Sequence, residues 1–389
     1  MNWQTKDEKQ YDINMLFVLF LFAVISCISI YYAQQMPQYE GNFVVNQGIY
    51  FVLAFTVMFV LIHIDYEYYL TLSWAFYGGG LALLVLLEII SPNEQWAPTR
   101  NNAERWFELP VIGSFQPSEV MKVALILTMS TLVYKHNQKF TNKIFKNDIW
   151  LIAKLLLVLI PPVLLLRLQP DMGMVMMSAA LFFSIVIVSG VSVWLNVLIF
   201  GVPLSVGLLF LFAFFRFPHL VENYIFTYMA DYQVSRFYGW LNPMEYTDEG
   251  FQTARAISAI GSGRLTGSEG TTVYLPEAHT DFIFAVIGEQ FGFVGAAVVM
   301  TLFFILLYQM MVIALKANHS FGAYICAGSI GMLAFQIFQN VGMNLGLLPV
   351  TGFTLPLISF GGSSLVTTMA LLGIIMSVRY HARSYFFES

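Results

Sequence analysis

The stretch TDFIFAVIGEQFGFVGAAVVMTLFFILLYQMMVIA, residues 280–314, decides the fold. It carries only two charged residues, Asp281 and Glu289, and a helix needs about 20 apolar residues to cross a bilayer. The run is longer than one straight crossing requires, and Gly288, Gly292 and Gly295 within it predict a bend or a tilt. Working outward, further apolar runs lie near 13–33, 45–64, 70–90, 118–134, 150–166, 172–190, 193–215, 321–342 and 354–378. The expectation is an all-α polytopic membrane protein of about ten transmembrane helices, one integral domain over 1–389. The first run is too long for a cleaved leader, and no small-residue cleavage site follows it.

Composition points the same way. Hydrophobic residues make up 58% of the 389-residue chain and charged residues 11%, against about 25% charged in soluble proteins. Mean hydropathy is +0.70. A net charge of −5 excludes a nucleic-acid partner, which requires a basic face. Cys27 and Cys326 both sit in apolar runs, so neither a disulfide framework nor a zinc site is expected.

Basic residues give the orientation. Lys6 and Lys9, the lysines of loop 135–149 (Lys135, Lys139, Lys143, Lys146), Lys316, Arg379 and Arg383 fall on one side if both termini are cytoplasmic, while loop 34–44 has no Lys or Arg. Segments 91–117 and 216–279 then face outward. Both are too long for turns, and Trp96, Trp106, Tyr224, Tyr228, Tyr232, Trp240 and Tyr246 predict a large ordered outer cap between spans seven and eight.

Ionisable residues beside spans are costly and therefore informative. Glu119 and Lys122 share a helix face at the start of the fourth span, with Pro117 at an early helical position and Ser118 as a candidate cap. A local ion pair with Lys122 snorkelling to the interface is the bland reading of that spacing. Asp281 opens the eighth span, where a carboxylate also interacts with the helix dipole. His279 lacks a second ligand at zinc-like spacing and reads as structural, and so does the deeper Glu289. All Lys/Arg positions in the two outer segments are arginines (Arg100, Arg105, Arg216, Arg236, Arg255, Arg264), and Arg167 lies at the outer edge. Arginine forks suit phosphate oxygens, although outer acids such as Asp171, Asp231, Asp248 and Glu249 offer them plain ion-pair partners. The glycine clusters at 261–270 and 348–364 match no nucleotide-binding motif. The broken apolar backbone between Leu347 and Phe360 suggests an interrupted segment facing a protein-lined cavity.

Seven motifs together resemble the SEDS (shape, elongation, division and sporulation) family of RodA, FtsW and SpoVE. They are RW at 105–106, QPSEVMK at 116–122, QPDMG at 169–173, YQVSR at 232–236, AIGSGRLTG at 259–267, PEAHTDFIFAVIGEQFGFVG at 276–295 and NVGMNLGLLPVTGFTLPLISFGGSS at 340–364. The likeness runs nearly end to end and is greatest to RodA of Gram-positive rods, on the short N-terminal tail, the lack of a long cytoplasmic C-terminal extension and the ending RSYFFES. Arg264 stands where glycine is usual, and Phe360 where tyrosine is commoner. The resemblance implies a peptidoglycan glycosyltransferase that polymerises lipid II at the outer face of the bacterial cytoplasmic membrane, for elongation and rod shape. It implies a class B penicillin-binding protein as cross-linking partner, alongside other cell-wall elongation proteins. The family's essential residues fall on Asp281, Glu119 and Lys122.

On that reading Asp281 is the base that takes the acceptor hydroxyl proton. Lys122, Arg105 and Arg255 stabilise the departing diphosphate, and Trp106 and Gln116 join the substrate-binding set. Glu119 either holds Lys122 or helps bind a divalent cation, Mg or Mn, at the diphosphate. A septal polymerase of the FtsW type, a lipid II flippase and a non-catalytic scaffold are the alternatives. A flippase should carry its polar groups near the bilayer midplane and show inverted repeats, whereas here they cluster at span ends.

Overall fold

The computed structural model describes residues 11–382 apart from 40, 94–95, 100–103, 110–112, 142–143, 229–230, 242, 244–249 and 269–272. Lys6, Lys9, Arg100, Lys143, Tyr246, Asp248, Glu249 and Arg383 therefore lie outside the described residues, as do the side chains of Asp231 and Tyr232.

The long helices are α1 (Ile13–Ala33), α2 (Phe43–His63), α3 (Glu67–Ile90), α4 (Pro117–Lys139), α5 (Phe145–Leu168), α6 (Met172–Val188), α7 (Val193–Arg216), α11 (Ile283–Leu315), α12 (Ser320–Asn344) and α13 (Gly362–Tyr380). Between α7 and α11 lie a single turn, α8 (Pro218–Leu220), and two amphipathic helices, α9 (Asp231–Leu241) and α10 (Phe251–Ser262). Eight of these helices are long and apolar enough to cross a membrane. The α6 helix is a little short for that ruler, and α4 carries Glu119, Lys122, Lys135 and Lys139 along a mostly buried body. Side-chain oxygens start several helices. Asp12 caps α1 through the Met15 amide, Asn42 caps α2 through Val45, and Asp171 caps α6 through Met174. Helices α4, α12 and α13 are the most enclosed and form the centre. The α13 helix packs on α2, α3 on α4, and α12 on α6 and α11.

Three departures from the sequence reading have physical causes. The chain is not wholly helical, because β1 (Phe107–Leu109) pairs antiparallel with β2 (Gly113–Phe115) in the 91–117 segment. The last helix begins at Gly362 rather than near 354. Residues 350–361 are non-helical, with Leu357 at φ 63° and Gly352 at φ 77°. Ser118 is not the cap of α4. Gln116 occupies that position in extended conformation, and the Ser118 hydroxyl donates to Asp171 Oδ2 at 3.4 Å.

The bend expected in the eighth span is present. Gly292 sits inside α11 at φ 62°, ψ −160°, a combination open almost only to glycine. The break frees two amides, which the glycine-rich loop satisfies: Phe293 N donates to Arg264 O at 3.0 Å and Val294 N to Leu265 O at 3.1 Å. A Cβ on Gly263 or Gly267 would strike the Gly288 or Gln290 carbonyl at 1.9 and 2.0 Å. These glycines therefore serve close backbone packing rather than a phosphate cradle. Arg264, the residue that departs from the family's glycine, holds φ 49°.

Candidate functional site

The non-helical segment 350–361 is the platform on which the site is built. Broken backbone inside an apolar bundle needs hydrogen-bond partners, and the neighbouring helices supply them. From α12, Gln336 donates to Thr354 O at 3.0 Å, Gln339 to Pro349 O at 3.2 Å and Asn340 to Phe353 O at 2.6 Å. From α1 and α2, Ser26 donates to Ile358 O at 2.7 Å and Gln47 to Ser359 O at 3.2 Å.

The turn 275–282 rests on this platform. Ser359 Oγ donates to Thr280 O at 2.6 Å, and Phe360 N to His279 O at 2.8 Å. The His279 ring packs among Tyr39, Phe43 and Phe360, with centroids 4.5, 4.9 and 5.6 Å away. Burial keeps its pKa below the usual imidazole range, as suits a structural histidine. Asp281 closes the turn, partly exposed. A Cβ added to Gly352 would stand 3.5 Å from its Oδ2, so only a bare peptide borders the carboxylate there. Burial, then the Glu277 carboxylate, push its pKa up to about 7 against the opposing pull of Arg236 and Arg105. A carboxyl poised there suits proton abstraction near neutral pH.

A second acidic centre lies at the starts of α4 and α6. Gln116 donates from its backbone to Ser363 Oγ at 3.1 Å and from its side chain to Asp171 Oδ2 at 3.2 Å. One turn on, Lys122 Nζ lies 2.5 Å from Glu119 Oε2, and the same oxygen accepts from Thr367 Oγ1 at 3.0 Å. Exposure is 5% for Glu119 and 4% for Lys122, so Lys122 does not snorkel. It is an enclosed ammonium held by one carboxylate.

Arg105 joins the two centres. Its guanidinium donates to the carbonyls of Gln169 and Pro170 just before α6. Its charge acts on both Asp171 and Asp281. Burial raises the Asp171 pKa above the usual carboxylate range despite Arg105. Arg236 on α9 donates to Val350 O at 3.2 Å and is the other cation acting on Asp281. Arg255 is not brought in. It lies on the exposed side of α10, 5.1 Å over the Phe251 ring, because the α10 face towards α11 is taken by Thr253, Ala256 and Ala259. Trp106 is half-buried just before β1. Glu289 is fully buried, and its Oε1 accepts from Val273 N at 3.0 Å, tying the cap to α11.

Arg236, Asp171, Asn340 and Asn344 are the residues that sequence reading did not single out. All four lie in quoted motifs, but a set of outer arginines gives no basis for choosing among them. Asp171 did carry a signal, since it opens a span as Asp281 does.

A dedicated cation site does not fit these donors. Among the described residues no three His, Cys, Asp or Glu side chains converge, and Glu119 Oε2 is already engaged by Lys122 and Thr367. An apolar cavity of about 380 Å³ lies between α1 and the N-terminal half of α11, lined by Ile25, Ile28, Ile287, Phe291, Val294 and Val298 among others.

Residues 10–384 match the model of the cell cycle protein family FtsW, RodA and SpoVE. The chain is 33% identical over 386 residues to the probable peptidoglycan glycosyltransferase FtsW of Geobacter sulfurreducens, covering 96% of each. It is 28% identical to the stage V sporulation protein E of Bacillus subtilis, over 96% of this chain and 98% of that one. In structure it resembles a chain of a peptidoglycan synthase complex that coordinates polymerization and crosslinking, with TM-score 0.74, 29% identity and 96% and 98% coverage. It also resembles RodA of Thermus thermophilus, with TM-score 0.66, 26% identity and 96% and 97% coverage. Proteins named for division, sporulation and rod shape all match along the chain, and these matches do not single out RodA.

Proposed function

The chain belongs to the FtsW, RodA and SpoVE family of cell-cycle proteins, and from that membership we infer that it is a peptidoglycan glycosyltransferase that polymerises lipid II. The observation that carries this reading is the gathering of Asp281, Arg105, Asp171 and the Glu119–Lys122 pair at one end of the bundle. Arg105 acts on both carboxylates that border it.

In the reaction, the 4-hydroxyl oxygen of one GlcNAc bonds to the anomeric carbon of a MurNAc. The bond from that carbon to the diphosphate oxygen breaks, and undecaprenyl diphosphate leaves with the electron pair. Asp281 takes the hydroxyl proton. A single displacement turns the α-linked donor into a β-1,4 product. Negative charge grows on the leaving diphosphate, and fixed cations there lower the barrier. Arg105 and Lys122 serve that role, and Arg236 replaces Arg255 as the outer arginine beside the base. Gln116 and Asp171 brace the start of α4 and Trp106 flanks Arg105. A Mg or Mn ion would arrive with the diphosphate, since the protein's own donors do not fit one.

The lysine-rich loop 135–149 supports placing both termini in the cytoplasm and the site at the outer face. A class B penicillin-binding protein is the cross-linking partner on this reading, with other elongation proteins around it. Elongation and rod shape form the narrower proposal, septal synthesis its alternative. A flippase is less favoured because the charged groups sit at helix ends.

The test is polymerisation of lipid II by the purified chain with no other polymerase, followed by gel analysis of the product. Glycan strands that disappear in Asp281→Asn support the reading. No polymer even with the transpeptidase present refutes it.

A further inference from the structure

The α11 helix starts at Ile283, two residues after Asp281. If it began earlier, the Ala285 N–H would donate to the Asp281 carbonyl, four residues back. That bond is replaced. Ala285 N instead donates to Asn344 Oδ1 at 3.1 Å and to Phe282 O at 3.0 Å. The Asp281 carbonyl accepts from Asn344 Nδ2 at 3.1 Å and Asn340 Nδ2 at 2.8 Å. Asn344 thus stands in the gap where the helical bond would form, accepting on one side and donating on the other. Asn340, one turn earlier on α12, fills the carbonyl's second lone pair and grips Phe353 O next to Gly352. Both side chains are fully buried.

We infer that Asn340 and Asn344 are positioning residues for glycosyl transfer, which keep Asp281 out of α11 and its carboxylate beside Gly352. The inference rests on Asp281 being the base. Without the two amides, the helix gains a bond by growing back over residue 281. Each helical residue turns by about 100°, so the carboxylate would swing by several ångströms. General-base catalysis needs it within about 3 Å of the acceptor hydroxyl, and ~1 Å of misplacement can cost ~100-fold.

The experiment uses the full chain with its transpeptidase partner and compares Asn340→Ala, Asn344→Ala and the double variant. Lipid II turnover is measured across pH. The expected result is a kcat lower by about 10- to 100-fold with KM within about threefold of wild type, and a double variant about as impaired as the worse single, because both amides act on one carbonyl. The acid limb of the pH profile is set by Asp281 with Glu277, Arg236 and Arg105 facing it. It should move by about half a pH unit or more as the carboxyl relocates. Gln336→Ala is the structural control. It loses a bond to the same broken segment at Thr354 O without touching Asp281, and its acid limb stays in place. If Asn344→Ala does not purify as a monodisperse protein, Asn344→Ser and Asn340→Ala carry the same test. Unchanged kcat in the Asn variants, or an acid limb that does not move, overturns the inference while an inactive Asp281→Asn leaves the base intact. Wild-type polymerisation by Asp281→Asn removes the base itself.

Discussion

Asp281→Asn is expected to yield a nearly inactive protein that is also more stable at alkaline pH. Burial and Glu277 push the carboxyl up to about 7, whereas a free aspartate titrates near 3.9, and the gap corresponds to ~4 kcal/mol. Between those two values the folded chain binds a proton that the unfolded chain has released. Stability therefore falls as pH rises through that window. The full cost is present above about pH 7 and none remains below about pH 4. Asparagine never ionises and does not carry it. Asp281 is partly exposed, and discounting for solvent screening leaves a gain of about 1–3 kcal/mol at pH 8. Thermal unfolding of wild type and variant, at pH 8 and at pH 4.5 in the same detergent, reads this directly. The variant's midpoint should lie above wild type at pH 8, and the difference should shrink at pH 4.5. Polymerisation should drop by about two to four orders of magnitude, the scale of a lost general base. Wild-type activity should itself decline below pH 7. Equal midpoints at both pH values would refute the buried-carboxylate account, and retained activity would refute the mechanism.

Three other outcomes follow from the structure. Lys122→Met and Glu119→Gln should each destabilise by about 3–5 kcal/mol, because each leaves a buried partner uncompensated. The double variant should be less destabilised and no less active than either single, and additive losses in a double-mutant cycle would argue against a coupled pair. Gly292→Ala should cost about 3 kcal/mol or more, since its φ is 62° and the new Cβ would lie 2.5 Å from Leu265 backbone atoms; an unchanged unfolding midpoint and yield would count against the pinned kink. With cysteines placed at the exposed positions 141 and 228, an impermeant thiol reagent on intact cells should modify 228 and spare 141, and the reverse pattern would invert the orientation.

How much of this was legible depends on which interactions a sequence exposes. The spans are legible because bilayer thickness imposes a ruler on apolar runs. The α11 bend is legible because three glycines sit in one overlong run, yet only Gly292 adopts a positive φ there. The start of α13 was misplaced because hydropathy counts apolar side chains and not the partners of the backbone. Leu355, Leu357 and Ile358 are buried as a helix would bury them, but Pro356 interrupts them and the Ser26 hydroxyl of α1 takes the Ile358 carbonyl. Asp281 stood out as a carboxylate at a span start. The bland reading of Lys122 as a snorkelling residue was open at the level of sequence because i,i+3 spacing gives the pair and not its depth. Arg255 was preferred to Arg236 because which cap helix lies over the platform is a tertiary fact. Trp240 Nε1 donating to Gly346 O at 3.1 Å fixes α9 there, and no local pattern announces it.

The placement of the base and the break in the last span are one problem with one solution. In an apolar bundle each unpaired backbone group costs several kcal/mol, so a non-helical segment such as 350–361 is viable only beside a helix rich in amides. On α12, Gln336, Gln339, Asn340 and Asn344 follow at intervals of three, one and four residues, which places them along one face. The first three hold carbonyls of residues 349–354, and the last two hold the carbonyl of Asp281. Asn340 belongs to both sets, so the segment bordering the carboxylate and the turn that presents it share a single side chain. Loss of Asn340 therefore loosens the segment and the Asp281 turn together, whereas Gln336 holds the segment alone. That coupling accounts for a long polar-and-glycine signature running through what hydropathy alone reads as two ordinary spans.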